Sequence, residues 1–147
     1  MTRPMFWLLV CLVMCSVSSL AASQSQEPSD KPRLYIHALP DSQAIKEEIV
    51  KKLTEWNGVS IVTLPSQADL TLEVQQSGKL NVFTGSGDKG AAVLMDAHTG
   101  EDLWTDSRGG GWSMRGYSNR MVGRKLGDRL VEFLKSYVNK KSAHTAG

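Results

Sequence analysis

The chain has 147 residues, 41% hydrophobic and 22% charged, with a formal net charge of +2; that is room for one domain and excludes a strongly basic or acidic polyelectrolyte. Its two cysteines, Cys11 and Cys15, both lie in the first apolar run, so beyond residue 15 no disulfide, thiol nucleophile or cysteine-bound metal can form. The charge is unevenly placed: residues 22–107 carry seven Lys/Arg and thirteen Asp/Glu (−6), and residues 108–147 carry nine and two (+7).

The beginning of the chain reads as an address. Arg3 precedes an apolar run at 5–17 (MFWLLVCLVMCSV), and Ser19-Leu20-Ala21 follows as a small-x-small cleavage site. That is the layout of a secretory signal peptide, and the run is shorter than the roughly 20 residues of a spanning helix. Met14 before Cys15 and Val10 before Cys11 are both poor lipobox contexts. The expected organisation is a signal peptide at 1–21, a flexible leader at 22–33, one α/β domain at 34–139 and a disordered tail at 140–147. Export to the periplasm, the cell envelope or the medium follows, and nucleic acid is set aside as a partner.

Residues 34–39 (LYIHAL) are apolar on both faces and end at Pro40, which predicts a central strand. Asp41 or Ser42 then caps a helix whose stripe is Ile45, Ile49, Leu53 and Trp56. Glu47 and Glu48 precede Lys51 and Lys52, in keeping with the helix dipole, and Asn57-Gly58 is a stop signal. Residues 59–64 (VSIVTL) form a second strand, and a strand-helix-strand unit this tight predicts that the two strands are parallel.

Residues 68–75 (ADLTLEVQ) alternate: Leu70, Leu72 and Val74 face one way, and Thr71, Glu73 and Gln75 the other, so one face of this strand is wet. Residues 80–84 (LNVFT) offer it a hairpin partner, and 85–90 (GSGDKG) a loop. A second hairpin joins 92–95 to 103–105 through Asp96-Ala97-His98-Thr99-Gly100. Residues 107–116 are too glycine-rich for regular structure. Ser118 or Asn119 then caps a helix to about Asn139, with a stripe of Val122, Leu126, Leu130, Phe133, Leu134 and Tyr137. Gly123 and Gly127 interrupt it, each at about 1 kcal/mol against Ala, which predicts close approach to the sheet there. The fold class is α+β: a single mixed sheet of five to six strands, ordered β-α-β-β-β-β-β-α, with both helices on one face.

Catalytic signals are weak. Gly85, Gly87 and Gly90 spell G-x-G-x-x-G, but a strand-like run follows where a nucleotide-binding helix is needed. His37, His98 and His144 have no metal-ligand spacing, and no G-x-S-x-G elbow occurs. Asp96, Glu101, Asp102 and Asp106 gather on the hairpin as turn and rim carboxylates. No enzyme, cofactor or metal is expected. Trp112, Met114 and Tyr117, beside Arg108, Arg115 and Arg120, have the composition of a binding hot spot on a loop. The competing reading packs Trp112 against the core. Arg108, Trp112, Met114, Arg115 and Tyr117 are the candidate binding residues.

The βαβ start, the Ala68-Asp69-Leu70-Thr71-Leu72 strand, the Val93–Trp104 segment (VLMDAHTGEDLW), the glycine loop and the basic last helix form a sequence of their own. Together they resemble the periplasmic α/β domains of the curli-secretion assembly superfamily, including the TolB amino-terminal domain and lipoprotein activators of penicillin-binding proteins. The resemblance spans residues 34–138 and rests on D-x-x-T-G-E. It implies a non-catalytic envelope domain that binds other proteins, and it carries no catalytic residue across. The missing lipobox cysteine is a departure from it. The leading expectation is therefore a protein-interaction or assembly module whose partner is an envelope protein. The alternative is a small-ligand or glycan-binding module that stacks sugars on Trp104, Trp112 and Tyr117, and a third is a hydrolase using Asp96 and Asp102. The basic helix leaves peripheral membrane contact open, and the −6 and +7 segments leave self-association open.

Overall fold

The computed structural model describes residues 31–78, 88–110 and 118–145. Strand β1 (Arg33–Ala38) leads through a 3-10 turn (Pro40–Ser42) into helix α1 (Gln43–Trp56). Strand β2 (Ser60–Val62), a second 3-10 turn (Pro65–Gln67) and strand β3 (Leu70–Gly78) follow. Strands β4 (Lys89–Asp96) and β5 (Asp102–Gly109) form a hairpin, and helix α2 (Ser118–Thr145) closes the chain. The described strands make one sheet in the order β2-β1-β3-β4-β5.

The sheet is mixed, as the sequence predicts. β1 lies parallel to both β2 and β3, and β4 runs antiparallel to β3 and β5. α1 stops where the Asn-Gly signal places it: Asn57 takes the left-handed conformation (φ 56°) and its N–H bonds the Leu53 carbonyl at 2.8 Å. A side chain on Gly58 would collide with the Trp56 ring, so glycine after the cap leaves room for that ring. At the hairpin, Asp96 Oδ1 accepts the N–H groups of His98 and Thr99 at 2.8 and 2.9 Å, and Gly100 takes φ 72°. This Asx geometry is why Asp and Gly bracket the turn. A β-bulge separates Leu94 from Met95 in the pairing with β5.

Both helices lie on one face. Leu34, Ile36, Leu70, Leu72, Val74, Ala92 and Leu94 of the sheet form one core with Ile45, Ile49 and Leu53 of α1 and Val122, Leu126, Leu130 and Leu134 of α2. The two glycines of α2 explain the helix pair. A Cβ on Gly123 would stand 2.7 Å from the Ile45 carbonyl oxygen, and one on Gly127 would stand 3.0 Å from Lys52 Cγ. Successive turns of α2 thus meet successive turns of α1, so the helices run parallel at close range. Arg124 to Glu48 (3.1 Å) and Lys52 to Asp128 (2.9 Å) bridge them at the surface.

Two sequence expectations change. β5 continues through Ser107, Arg108 and Gly109, inside the stretch read as irregular, because β4 already starts at Lys89 and supplies partners for them. Glycine at 90 suits that ladder, since a side chain there would strike Val122 and Ile45. α2 runs on to Thr145, past the predicted end at Asn139 and into the predicted tail; the sequence from Asn139 to Thr145 holds no proline or glycine to stop it. The strand expected at 80–84 and the first half of the 85–90 loop lie outside the described residues, as do the signal and leader through residue 30.

Candidate interaction surface

The face of the sheet opposite the helices carries no covering element among the described residues. Register places Val62, Tyr35, Thr71 and Met95 in one row across it, and His37, Glu73, Val93 and Thr105 in the next. Tyr35, Thr71, Val93 and Met95 are half-buried by their neighbours, whereas His37, Glu73 and Gln75 are exposed. Parallel strands are ordinarily covered on both faces. Here β2, β1 and β3 are mutually parallel yet covered on one, which makes the bare face a surface with room for a partner.

The second surface is the outer edge of β5 with the helix beside it. An open groove of about 530 Å³ is lined by Ser107, Arg108, Gly109, Lys125, Asp128 and Arg129. It shares Arg108 and Arg129 with a smaller one of about 280 Å³ at Trp104, Asp106, Glu132, Phe133 and Ser136. Trp104, Phe133 and Tyr137 form an aromatic row, with ring centroids 6.3 and 6.0 Å apart. Arg108 holds Asp106 through Nε (2.9 Å) and Nη2 (2.8 Å), and Arg129 bridges to Glu132 at 3.0 Å.

The far end of the sheet is clamped by charge. Asp69 Oδ1 takes Arg33 Nη2 at 2.7 Å, and Oδ2 takes both Arg33 Nε (3.1 Å) and the Arg33 N–H (2.8 Å). The guanidinium hydrogen bonds hold the Asp69 carboxyl down at about 2, and the same pair raises Arg33. Asp69 also joins two backbone strands, donating to the Arg33 carbonyl and accepting from Ala97. Asp96 is lowered by the Thr99 and His98 N–H groups, so its carboxylate serves the turn.

Of the five candidate binding residues, Arg108 is in the groove. Trp112, Met114, Arg115 and Tyr117 lie outside the described residues. Among the described residues no group of three or more His, Asp or Glu side chains could hold a metal ion, and no helix is long and apolar enough to cross a membrane. The reading from sequence passed over Lys125, Asp128, Arg129 and Glu132. Their i, i+3 and i+4 spacing beside the Phe133 stripe marks one flank of α2, which is the signal that could have found them.

No family model matches the chain. The iron-sulfur cluster assembly protein CyaY of Ralstonia nicotianae is 30% identical over 77 residues, 52% of this chain; the match covers 66% of that protein, just under two thirds of its length. Among solved structures, TolB from Acinetobacter baumannii aligns with a TM-score of 0.57 at 13% identity, over 74% of this chain and 29% of its own. The PelC dodecamer protein from Paraburkholderia phytofirmans aligns at 0.49 and 17% identity, over 67% of this chain and 87% of its own. The chain therefore has an α+β fold shared with part of TolB.

Proposed function

We propose that this protein is a non-catalytic module of the cell envelope that recognises another envelope protein through its bare sheet face. The observation that carries the reading is the uncovered side of the sheet, where Tyr35 of β1, Thr71 of β3 and Val93 and Met95 of β4 form a half-buried, largely apolar band rimmed by His37, Glu73 and Gln75. The signal-peptide layout of residues 1–21 and the TolB-like fold support the location. The curli-secretion resemblance supports an assembly role.

The test is a photo-crosslinking amino acid placed at Val93 on the bare face and, as control, at the exposed Glu47 on α1, in the native envelope. A discrete protein adduct at position 93 and none at 47 is the expected result. Equal or absent labelling at both sites sinks the proposal.

The CyaY likeness supports a second reading, a part in iron-sulfur cluster assembly. The hairpin carboxylates do not gather into a group of three, so the reading rests on the exposed Asp102 at the rim. Calorimetric titration with ferrous iron decides: saturable binding lost in Asp102→Asn favours it, and no heat of binding retires it.

A further inference from the structure

The β5 edge has a determinate pattern of exposed backbone. The Gly110 N–H bonds the Asp88 carbonyl at 2.8 Å, so Asp88 and Gly110 are a bonded pair of the antiparallel ladder. Bonded and unbonded pairs alternate. The pairs Lys89/Gly109, Ala91/Ser107 and Val93/Thr105 are therefore unbonded, and the backbone groups of Thr105, Ser107 and Gly109 point away from β4. Two contacts agree. The Ser107 N–H is taken by Asp106 Oδ1 at 2.8 Å, and the Gly109 carbonyl accepts from Lys125 Nζ at 3.0 Å. Side chains occupy positions where another strand would bind.

The two sheet edges differ as templates. β2 has three residues and is bounded by Pro65, whereas β5 has eight. An edge of that length offers continuous pairing to an extended chain. The groove behind it carries Arg108, Lys125 and Arg129 against Asp106, Asp128 and Glu132. A single-sign partner would meet like charge there. A lining balanced in sign is complementary to its own twofold image.

We propose that β5 pairs antiparallel with β5 of a second copy, about a twofold axis at Ser107, so that one sheet continues into the next. The register follows from charge. Centred on Ser107, the outward groups of Ser107 face each other, Thr105 faces Gly109 of the second copy, and Asp106 lies directly opposite Arg108 of the second copy. Centred on Asp106, the two Asp106 carboxylates would be opposed in a close unbonded pair, which is unfavourable. Centred on Thr105, Asp106 would face Trp104, and Arg108 would lose a carboxylate because the bulge at Leu94/Met95 turns Asp102 towards the other face. Asp106 already holds Arg108 within the strand, so the exchange to an intermolecular pair leaves no charge unmatched. The axis is perpendicular to the sheet. It keeps both helix layers on one side, sets the two α2 helices across the groove, and leaves both bare faces open. The inference stands apart from the envelope-partner reading, which the Val93 crosslink tests separately.

Two experiments on the full chain test it. Ser107→Cys places the sulfurs across a bonded antiparallel pair with Cα atoms about 5.5 Å apart, within disulfide reach. The expected result is a disulfide-linked dimer with Ser107→Cys, and with Thr105→Cys only the background that Cys11 and Cys15 give in the unaltered chain. More crosslinking at position 105 than at 107, or background at both, overturns the proposal. In the second experiment Asp106→Arg and Arg108→Asp are each measured alone and mixed, by light scattering, after circular dichroism confirms that they fold. Each breaks its own intrachain pair, and only opposite variants can pair across the axis. At least tenfold weaker dimerisation of each alone, with recovery in the mixture, is expected; a mixture no more dimeric than its parts overturns the proposal.

Discussion

The two faces of β3 are built from alternate residues and live by different rules. Leu70, Leu72 and Val74 are sealed beneath two helices, and Thr71, Glu73 and Gln75 look out from the same backbone. The sealed side is governed by volume, because a packed interior tolerates neither void nor overlap. The open side is governed by what arrives from outside the chain. One strand therefore carries both the stability of the domain and its proposed recognition, separated by a single residue step.

The largest expected effect removes volume from the sealed side. Leu72 is fully buried at the centre of the core, between Ile36 of β1 and Leu94 of β4. Leu72→Ala deletes its packing and leaves a cavity bounded by a rigid sheet and two helices. A loss of about 3 kcal/mol in urea unfolding is expected, with an unchanged slope against denaturant. A loss below about 1 kcal/mol would mean that the helix layer collapses onto the gap and is not fixed in place.

Adding volume on the sealed side comes next. Gly123→Ala puts a methyl 2.7 Å from the Ile45 carbonyl oxygen and 3.1 Å from Ile45 Cα, both backbone atoms of α1. The helix-propensity gain of about 1 kcal/mol is outweighed by forcing the helices apart, and a net loss of about 2 kcal/mol is expected. At Gly127 the contacts are looser, with Lys52 Cγ at 3.0 Å, Lys52 Cβ at 3.1 Å and the nearest backbone atom, Ile49 Cα, at 3.4 Å. There the gain and the cost nearly cancel, and Gly127→Ala should fall within about 0.5 kcal/mol of the unaltered protein. Equal effects at the two sites would contradict the difference in approach between them.

That pair of glycines also shows what sequence can reveal. Their cost in a helix pointed to close approach, yet the surface they approach is α1 and not the sheet, and nothing local could say so. Periodicity found Ile45, Ile49 and Leu53, and Val122, Leu126, Leu130 and Leu134, because burial at helical spacing is written within one turn. Trp56, Phe133 and Tyr137, read as core by the same rule, are only half-buried, since the helix rim and the sheet edge share their spacing. The Asp96 to Gly100 turn was equally legible, its partners being two or three residues away. The Arg33–Asp69 clamp was not, its halves being 36 positions apart. The groove was half legible: Arg108 stood out by composition, while its companions on α2 come close only once β5 and α2 pack.

The clamp separates from both faces by its response to pH. Asp69 titrates at about 2 when folded, against 3.8 as its ordinary value. A lowered carboxyl contributes stability that is complete above its unfolded value and disappears as pH falls through its folded value. The shift corresponds to about 2.5 kcal/mol, and solvent contact at a part-exposed pair reduces the stability to be expected from it to about 1 kcal/mol. Asp69→Asn should therefore be less stable by about 1 kcal/mol at pH 7, with the gap closing between pH 4 and pH 2. A gap that persists undiminished at pH 2 would assign the loss to packing at the start of β3.

The smallest effect is the sharpest use of the contrast. Glu73 is one residue from Leu72, exposed, and set between His37 and Val93 in the sheet register. Thr suits a pleated, solvated position at least as well as Glu, so Glu73→Thr should change stability by less than about 0.5 kcal/mol. Its effect should appear instead in the envelope, as weaker adduct formation from the crosslinker at Val93. If Glu73→Thr costs the isolated protein more than about 1 kcal/mol, the bare face is already covered within it. The recognition surface would then have to be sought along β5, where the backbone of Thr105, Ser107 and Gly109 is turned outward.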